Sequence, residues 1–215
     1  CNVNDYKENV LYMTINGGLK AEISLIDEIK QGSKEAIAEL KKRGIKVKMF
    51  TGDKKEMADA IAKEVGIAIE DTEAAMLPED KYQQLDELIK ESKASNTLGK
   101  VAFAGDGIND APVLALADIG ISMGEVGQAS AMEASDVIIM QDNLKKIVTT
   151  YDISLKTRRI IKQNLIFAIG TKVIILILNL LGISNMWEAV FADVGTTLLT
   201  ILNTTRILRS KGDRK

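Results

Sequence analysis

The chain has 215 residues, of which 46% are hydrophobic and 27% are charged, a composition typical of a folded protein. Its 28 lysines and arginines are interleaved with 30 acidic residues, which leaves a net charge of −2 and excludes the basic face of a nucleic-acid-binding protein. One cysteine, Cys1, and no histidine exclude an internal disulfide and the usual His/Cys zinc or catalytic sites. Because the chain begins with Cys1 instead of Met, we expect it to be a piece of a longer protein.

The first predicted elements are a β-hairpin and a helix. Val10–Ile15 and Leu19–Ile26 are apolar runs on either side of Asn16-Gly17-Gly18, a turn sequence that supplies positive φ angles at little cost. Ser33 is a candidate N-cap for a helix that ends before Gly44, the expected C′ residue.

Short apolar strands then alternate with helices up to about residue 150. In chain order we predict strand Ile45–Phe50, helix Lys54–Val65 ending at Gly66, a helix opened by Pro78, strand Val101–Ala104, a helix with Pro112 in its first turn, and strands Ile119–Ser122 and Val137–Met140. This alternation predicts an α/β fold with a parallel sheet of right-handed βαβ units, in which sites form at the carboxyl ends of strands.

Polar loops follow two of the predicted strands. The loop from Gly105 to Asp110 places two carboxylates and an amide within reach of a hard cation such as Mg²⁺. Thr51-Gly52-Asp53 offers a hydroxyl and backbone N–H groups to phosphate oxygens, and Lys81 offers a compact positive charge. Together these groups are typical of phosphoryl transfer. Each also has an ordinary alternative: a capped turn for Thr51 to Asp53, a solvated helix residue for Lys81, and a structural turn for the loop from Gly105 to Asp110.

Two long apolar runs, Leu165–Ile183 and Met186–Leu208, occupy the end of the chain, and each is long enough to cross a bilayer. Basic residues flank the pair on its outer ends, which places both ends in the cytoplasm: Lys156, Arg158, Arg159, Lys162, Arg206, Arg209, Lys211, Arg214 and Lys215. The alternative is a pair of buried helices in a large soluble core.

Lys172 lies near the middle of the first predicted span, and Asp193 lies in the first third of the second, which also contains Glu188 and Arg206. A charge inside a membrane costs about 2.5–3.5 kcal/mol on insertion scales, so such residues usually mark an ion pathway. The alternative is a structural salt bridge in which Lys172 and Asp193 only neutralise each other.

The ordered motifs Thr51-Gly52-Asp53, Pro78 to Lys81 and Gly105 to Asp110, continuing through Ala111-Pro112-Val113-Leu114, resemble those of P-type ATPases, members of the haloacid dehalogenase superfamily. The resemblance implies a haloacid-dehalogenase-like (Rossmann-like) domain followed by a two-helix transmembrane hairpin. It implies Mg²⁺ and ATP as cofactors, with Asp106 and Asp110 at the Mg²⁺ ion. It also implies that Asn109 and Asp110 order the loop and the phosphoryl group, and that Thr51 and Lys81 contact the phosphoryl oxygens. Gly52 would belong to the same catalytic turn, and Asp53 would face the nucleotide side.

The same resemblance implies three domains. Residues 1–26 are expected to be the end of a nucleotide-binding domain and a linker hairpin, and residues 27–150 the C-terminal part of a phosphorylation domain. Residues 151–215 are expected to hold a helix entering the membrane, two transmembrane helices at about 164–183 and 186–208, and a basic tail. The chain would lie in the cell membrane as a multi-pass protein, with residues 1–163 and the tail in the cytoplasm.

The segment from Phe191 to Thr197, followed by Asn203 and Arg206, resembles the zinc-, cadmium- and lead-exporting group of P-type ATPases. In that group Asp193 would be a ligand of the transported ion and Lys172 its counter-charge. A carboxylate suits borderline divalent ions, whereas copper(I) selects sulfur ligands. The family's Asp-Lys-Thr-Gly-Thr, Thr-Gly-Glu and Cys-Pro-Cys motifs do not occur in this chain, so we expect it to need the upstream remainder of the same ATPase.

Two alternatives from other classes remain. A membrane-tethered phosphatase would need its own nucleophilic aspartate before Thr51, and Asp27 is the nearest candidate, although Glu-Ile-Lys follows it instead of the expected Thr-Gly loop. The other alternative is a truncated, non-catalytic membrane protein that only binds a metal ion.

Overall fold

The computed structural model describes residues 10–15, 17–24, 28–95, 99–105, 110–124, 132–141, 143–183 and 186–208. Among the predicted site residues, Asp106 and Asn109 lie outside these ranges, and their roles stay predictions. Asp27, the candidate nucleophile of the phosphatase alternative, also lies outside them.

The predicted N-terminal hairpin is confirmed. β1 (Val10–Ile15) pairs antiparallel with β2 (Gly18–Ser24), and Ile15 lies opposite Gly18 across a two-residue turn. Gly17 in that turn has a φ of 75°, a conformation that glycine adopts without a steric penalty. The predicted last residue of β2, Ile26, lies outside the described residues.

The first helix, α1 (Ser33–Lys42), begins one residue earlier than the prediction, because Gly32 and not Ser33 is its N-cap. The Gly32 backbone is left-handed, with a φ of 88°, and its carbonyl accepts the Ala36 N–H at 3.0 Å. Ser33 is instead the first helical residue and is buried. The predicted end is confirmed, since Gly44 follows the helix with a φ of 76°.

The next strand is shorter than predicted. Only β3 (Met49–Phe50) of the predicted Ile45–Phe50 pairs with another strand, because its parallel partner β4 (Thr72–Glu73) is itself two residues long. Between them α2 (Lys55–Val65) ends at Gly66, which has a φ of 82°. A short 3₁₀ turn, Ile69–Asp71, leads into β4, a strand that the sequence analysis missed.

Three further strands form a second parallel sheet, so the one sheet that the alternation predicted is divided into two among the described residues. β5 (Ala102–Gly105), β6 (Ile119–Met123) and β7 (Val137–Ile139) lie in that order. α3 (Pro78–Ala94) precedes β5, and α4 (Ala111–Leu116) connects β5 to β6 as in a βαβ unit. β5 begins one residue after the predicted start, since the Val101 N–H donates to the Asp118 carboxylate at 3.1 Å.

We call residues 28–141 the head. Among the described residues, its core includes three apolar clusters: Ile37, Ala62, Val65 and Ile67 between α1 and α2; Leu85, Ile89 and Val113 between α3 and α4; and Ile121, Met123 and Ile139 on β6 and β7. Leu144 and Ile147 pack against the third cluster, so the start of the next helix is part of the head's core. Removing such side chains from water stabilises the fold by about 1.5–3 kcal/mol each.

A single helix, α5 (Lys145–Leu180), leaves the head and runs for 36 residues. At 1.5 Å per residue it is about 54 Å long, against about 30 Å for the hydrocarbon core of a bilayer. It contains an 18-residue stretch with a mean hydropathy of 1.8, of which only 6% is buried. By length and composition, α5 can therefore cross a membrane.

α6 (Met186–Thr204) pairs with α5 in an antiparallel arrangement. Glu188, Asp193 and several threonines lower its hydropathy, and α5 is the one described helix that is apolar enough to count as a membrane span. Of the two predicted membrane spans, the first therefore meets the length and composition of a membrane span, and the two-helix hairpin is not confirmed. We call α5 and α6 the helix pair.

Candidate functional site

The loop after β3 is a compact turn built by Thr51 and Asp53. The Thr51 hydroxyl donates to Asp53 Oδ2 at 2.7 Å, and the Asp53 N–H donates to Thr51 Oγ1 at 3.1 Å, with Gly52 between them. This is the capped turn that the sequence analysis gave as the structural alternative. A hydroxyl has one proton, so Thr51 must release Asp53 before it can donate to a phosphoryl oxygen.

A second loop, after β4, holds this turn in place. The Met76 N–H donates to the Thr51 carbonyl at 3.0 Å, and the Ala75 N–H donates to the Asp53 carbonyl at 2.7 Å. Ala75 has a φ of 54°, a left-handed conformation that costs a non-glycine residue about 1–3 kcal/mol. Sequence reasoning missed Ala75 and Met76, and an alanine gives no local signal that it will adopt this conformation.

Lys81 lies one turn into α3, whose start is well capped. The Leu77 N–H donates to Asp80 Oδ2 at 2.8 Å, and Pro78 is the first helical residue. From there Lys81 Nζ donates to Asp110 Oδ1 at 2.9 Å, and the two side chains are only 18% and 12% exposed. Lys81 is therefore a fixed, mostly buried cation and not a solvated helix residue.

Asp110 is the N-cap residue of α4, just after the loop that follows β5. A Cβ atom on Gly105, the last residue of β5, would lie 3.1 Å from Asp110 Oδ2 and 3.1 Å from the Phe103 ring. Glycine at position 105 thus lets the Asp110 carboxylate come close to the end of the strand.

The structure joins the predicted head residues in two groups. Thr51, Gly52 and Asp53 share one turn, and Lys81 pairs with Asp110 across 29 residues of sequence. Met76 and Leu77 connect the groups, since Met76 bonds to Thr51 and Leu77 begins the turn of α3 that contains Lys81. All of these groups follow strands β3, β4 and β5 of the head.

The chemistry of these groups suits a bound phosphoryl group. Lys81 provides positive charge, and Asp110 provides a carboxylate for a hard cation. Within the described residues, no three His, Cys, Asp or Glu side chains come close enough to hold a metal ion. A Mg²⁺ ion does not need three, because it is commonly bound by one or two carboxylates together with phosphate oxygens and water.

The two charged residues of the helix pair face each other. Lys172 Nζ lies 3.7 Å from Asp193 Oδ1, and the side chains are 71% and 68% exposed. They line an open pocket of about 250 Å³ together with four uncharged residues, Thr171, Ile175, Ala189 and Thr196. The observed ion pair fits both the counter-charge interpretation and its structural alternative.

Amide and hydroxyl groups join the two helices nearer the head. Asn164 Nδ2 donates to Thr204 Oγ1 at 2.9 Å, and Asn203 Nδ2 donates to Asn164 Oδ1 at 2.8 Å. Arg206 donates to Asn203 Oδ1 at 2.9 Å and extends this network. Polar contacts between helices are typical of helices that associate inside a membrane.

Parallel strands followed by polar loops, with a mostly buried Lys–Asp pair among the loops, define a Rossmann-like α/β domain. The family model for haloacid dehalogenase-like hydrolases matches residues 5–118. The chain belongs to this family.

Curated relatives extend the likeness beyond the head. The chain is 44% identical over 203 residues to a cadmium, zinc and cobalt-transporting ATPase of Bacillus subtilis, which covers 94% of the chain and 28% of that protein. It is 40% identical over 206 residues to a zinc-transporting ATPase of Synechocystis, which covers 95% of the chain and 28% of that protein. The chain therefore spans just over a quarter of the length of these relatives.

A solved structure shows the same relationship. The chain matches a zinc-transporting PIB-type ATPase in its E2·Pi state with a TM-score of 0.78 and 36% identity, over 93% of this chain and 31% of that one. The resemblance to heavy-metal-transporting P-type ATPases is thus confirmed.

Proposed function

We propose that this chain is part of an ATP-driven exporter of Zn²⁺, Cd²⁺ or Pb²⁺ that works through an aspartyl-phosphate intermediate. The observation that carries the proposal is α5, a continuous 36-residue helix that begins against the head and reaches Lys172 opposite Asp193. One continuous helix thus connects the head, which contains the candidate phosphoryl site, to the Lys172–Asp193 pair in a predicted membrane span. The transport activities in the names of the relatives support this reading.

In the head, Asp106 and Asp110 would hold Mg²⁺, which neutralises charge on the phosphoryl oxygens and the nucleotide when bound. Lys81 is already oriented by Asp110, and it would stabilise the negative charge that develops as the phosphoryl group is transferred. Thr51 and the backbone of Gly52 would contact the phosphoryl oxygens, Asp53 would lie on the ATP side, and Asn109 would order the loop. The accepting aspartate would come from a segment that this chain does not contain.

In the membrane, Asp193 would be a ligand of the transported ion and Lys172 its counter-charge. Lys172 is a partner for the Asp193 carboxylate when no ion is bound, and a bound ion would compete with Lys172 for that carboxylate. Such competition provides two states that a phosphorylation cycle can favour in turn. Both helices would span the bilayer, with the head and the end of the chain in the cytoplasm.

The test uses the full-length protein in proteoliposomes and measures ATP hydrolysis with zinc, cadmium, lead, cobalt and copper(I). The proposal expects stimulation by the first three ions, and stimulation by copper(I) alone would overturn the assigned ion class. Hydrolysis of phosphomonoesters without any dependence on these metals would instead support the phosphatase alternative. Absence of both activities would support the non-catalytic alternative.

A further inference from the structure

Arg43 joins two parts of the chain that are 109 residues apart. Its Nε donates to Asp152 Oδ1 and its Nη2 donates to Asp152 Oδ2, both at 2.8 Å. Arg43 is the C-cap residue of α1 in the head, whereas Asp152 lies eight residues into α5. This two-bond arrangement fixes the direction of the guanidinium as well as its distance.

The remaining side of the guanidinium is occupied within α1. Arg43 Nη1 donates to Glu39 Oε2 at 2.6 Å and to the Glu39 carbonyl at 2.9 Å. The Arg43 side chain is 26% exposed, so it lies largely between the two helices. Glu39 therefore holds Arg43 in the orientation that meets Asp152.

α1 contacts α5 at its other end as well. The Lys145 side chain covers Gly32, where an added Cβ would lie 2.6 Å from Lys145 Cε. The ten residues of α1 and the stretch from Lys145 to Asp152 thus run side by side over about 10–15 Å. Two points of attachment fix the direction of α5 relative to α1, which one point cannot do.

α1 is itself fixed to the rest of the head. Ile37 and Leu40 are buried, and Lys41 Nζ donates to the Gly66 carbonyl at the end of α2 at 2.7 Å. α2 begins two residues after the turn of Thr51 and Asp53. In the other direction, about 30 Å of continuous helix separates Asp152 from Lys172.

We propose that Arg43 is a positioning residue whose ion pair with Asp152 sets the direction of α5, and with it the Lys172–Asp193 pair, relative to the phosphoryl site. This inference rests on the proposed function. Breaking the pair would leave the chemistry of the head intact but weaken its response to the ion in the membrane.

The electrostatics agree with a pair that is formed in the folded state. The pKa of Arg43 is raised, chiefly by its hydrogen bonds to Asp152 and then to Glu39. The pKa of Asp152 is lowered, chiefly by its hydrogen bond from Arg43. A partly exposed ion pair such as Arg43–Asp152 contributes little net stability. Stability alone therefore does not explain why all three guanidinium nitrogens of Arg43 donate hydrogen bonds to Asp152 or Glu39.

The functional test compares Arg43→Gln, Asp152→Asn and the double variant in the full-length protein. We expect phosphoenzyme formation from ATP within twofold of the parent, and zinc stimulation of ATP hydrolysis reduced about fivefold or more. Because both single variants break the same contact, the double variant should lose no more than either one. Asp152→Glu retains the carboxylate and should recover stimulation. Lys90→Gln, which breaks the exposed Lys90–Asp86 pair within α3, is the matched control and should behave as the parent.

A second measurement does not depend on transport. Spin labels at Glu35 on α1 and Arg159 on α5 report the distance between the helices in the full-length protein. The proposal expects a narrow distance distribution in the parent and a broader or shifted one in Arg43→Gln, even if the protein proves not to transport metals. An unchanged distribution, or metal stimulation that survives in both single variants, would overturn the positioning role. If zinc does not stimulate ATP hydrolysis in the parent protein, that result counts against the proposed function and not against the positioning role of Arg43.

Discussion

The head and the helix pair place their apolar side chains in opposite ways. In the head, Leu85 and Leu114 are 2% and 1% exposed and belong to a closed core. In the helix pair, Trp187 is 73% and Phe191 76% exposed, while the polar groups of Asn164 and Asn203 lie between the helices. The head is stabilised by removing apolar surface from water. The helix pair leaves apolar surface for a bilayer or for further helices to cover.

Their ion pairs differ in the same sense. Lys81 and Asp110 are 2.9 Å apart and mostly buried, whereas Lys172 and Asp193 are 3.7 Å apart and mostly exposed. A buried, hydrogen-bonded pair keeps one arrangement, because separating its members leaves an unpaired charge out of water. At 3.7 Å, Lys172 and Asp193 are farther apart than a hydrogen bond allows and are held less firmly. The first suits a fixed phosphoryl site, and the second suits a site at which an ion replaces a counter-charge.

The largest expected effect is on chemistry in the head. Asp106→Ala in the full-length protein should abolish phosphoenzyme formation from ATP and Mg²⁺, because it removes a proposed carboxylate ligand of the cation. Radiolabelling with ATP measures the product, and zinc binding to the membrane part serves as the control for folding. Normal labelling would remove Asp106 from the metal role.

The counterpart in the helix pair is Asp193→Ala. It should suppress zinc-stimulated ATP hydrolysis while phosphorylation by inorganic phosphate remains possible, since the proposed transport ligand is lost and the head is untouched. Glu188→Gln, which neutralises another carboxylate of α6, is the matched control and should keep zinc stimulation. Unchanged zinc stimulation in Asp193→Ala would support the alternative in which Asp193 only forms a structural ion pair with Lys172.

The Lys81–Asp110 and Lys172–Asp193 pairs should contribute differently to the free energy of unfolding. Lys81→Met leaves the Asp110 carboxylate buried without its cation, and we expect a loss of about 2–4 kcal/mol in the free energy of unfolding. Lys172→Met removes an exposed partner and should change stability by about 1 kcal/mol or less in detergent. Thermal unfolding of the 215-residue chain, followed by circular dichroism, compares the two. Equal losses of stability in Lys81→Met and Lys172→Met would contradict the conclusion that the more buried pair is the more strongly held.

Local signals in the sequence predicted much of the head. Asn16-Gly17-Gly18, Gly44, Gly66 and Pro78 each mark the end or start of an element, because glycine and proline limit the backbone in ways that need no distant partner. The rule that sites form at the carboxyl ends of parallel strands pointed to the loop that ends at Asp110, but the contact between Asp110 and Lys81 on α3 was not predicted. The element ends and this loop could be predicted because they depend on residues adjacent in the sequence or on a rule that holds for all parallel sheets.

The parts that were missed depend on distant partners. β4 is two residues long and exists through its pairing with β3, so its own sequence gives no strand pattern. Arg43 and Asp152 are surface-type residues 109 positions apart, and no periodicity connects them. Ser33 looked like an N-cap, but the left-handed Gly32 beside Lys145 takes that place.

Ala75 offers a smaller test of how tightly the head's site is held. Ala75→Gly should raise stability by about 1 kcal/mol, because glycine adopts the left-handed conformation without the steric cost to alanine. Ala60→Gly, in the middle of α2, should lower stability by about 0.5–1 kcal/mol and is the matched control. The two thermal midpoints should therefore move in opposite directions, and a shared direction would contradict strain at Ala75.

The smallest expected effect lies where the head meets the helix pair. The pKa of Glu39 is lowered from 4.5 to about 2, chiefly by its hydrogen bond from Lys42 and then by that from Arg43. A carboxylate with a lowered pKa binds protons more weakly in the folded state than in the unfolded state. Its stabilising contribution is therefore complete above pH 4.5 and is lost as the pH falls toward 2.

Thermal unfolding of the chain between pH 6 and about pH 2.5 measures this loss. Glu39→Gln should flatten the acid slope slightly, and Lys42→Gln should flatten it in the same direction because it removes the largest cause. About 1 M salt should weaken the effect, since Lys42 and Glu39 are exposed to solvent. A steeper acid slope in Glu39→Gln would mean that Glu39 opposes the Arg43–Asp152 contact, and α1 would then meet α5 through Arg43 without the support of its own helix.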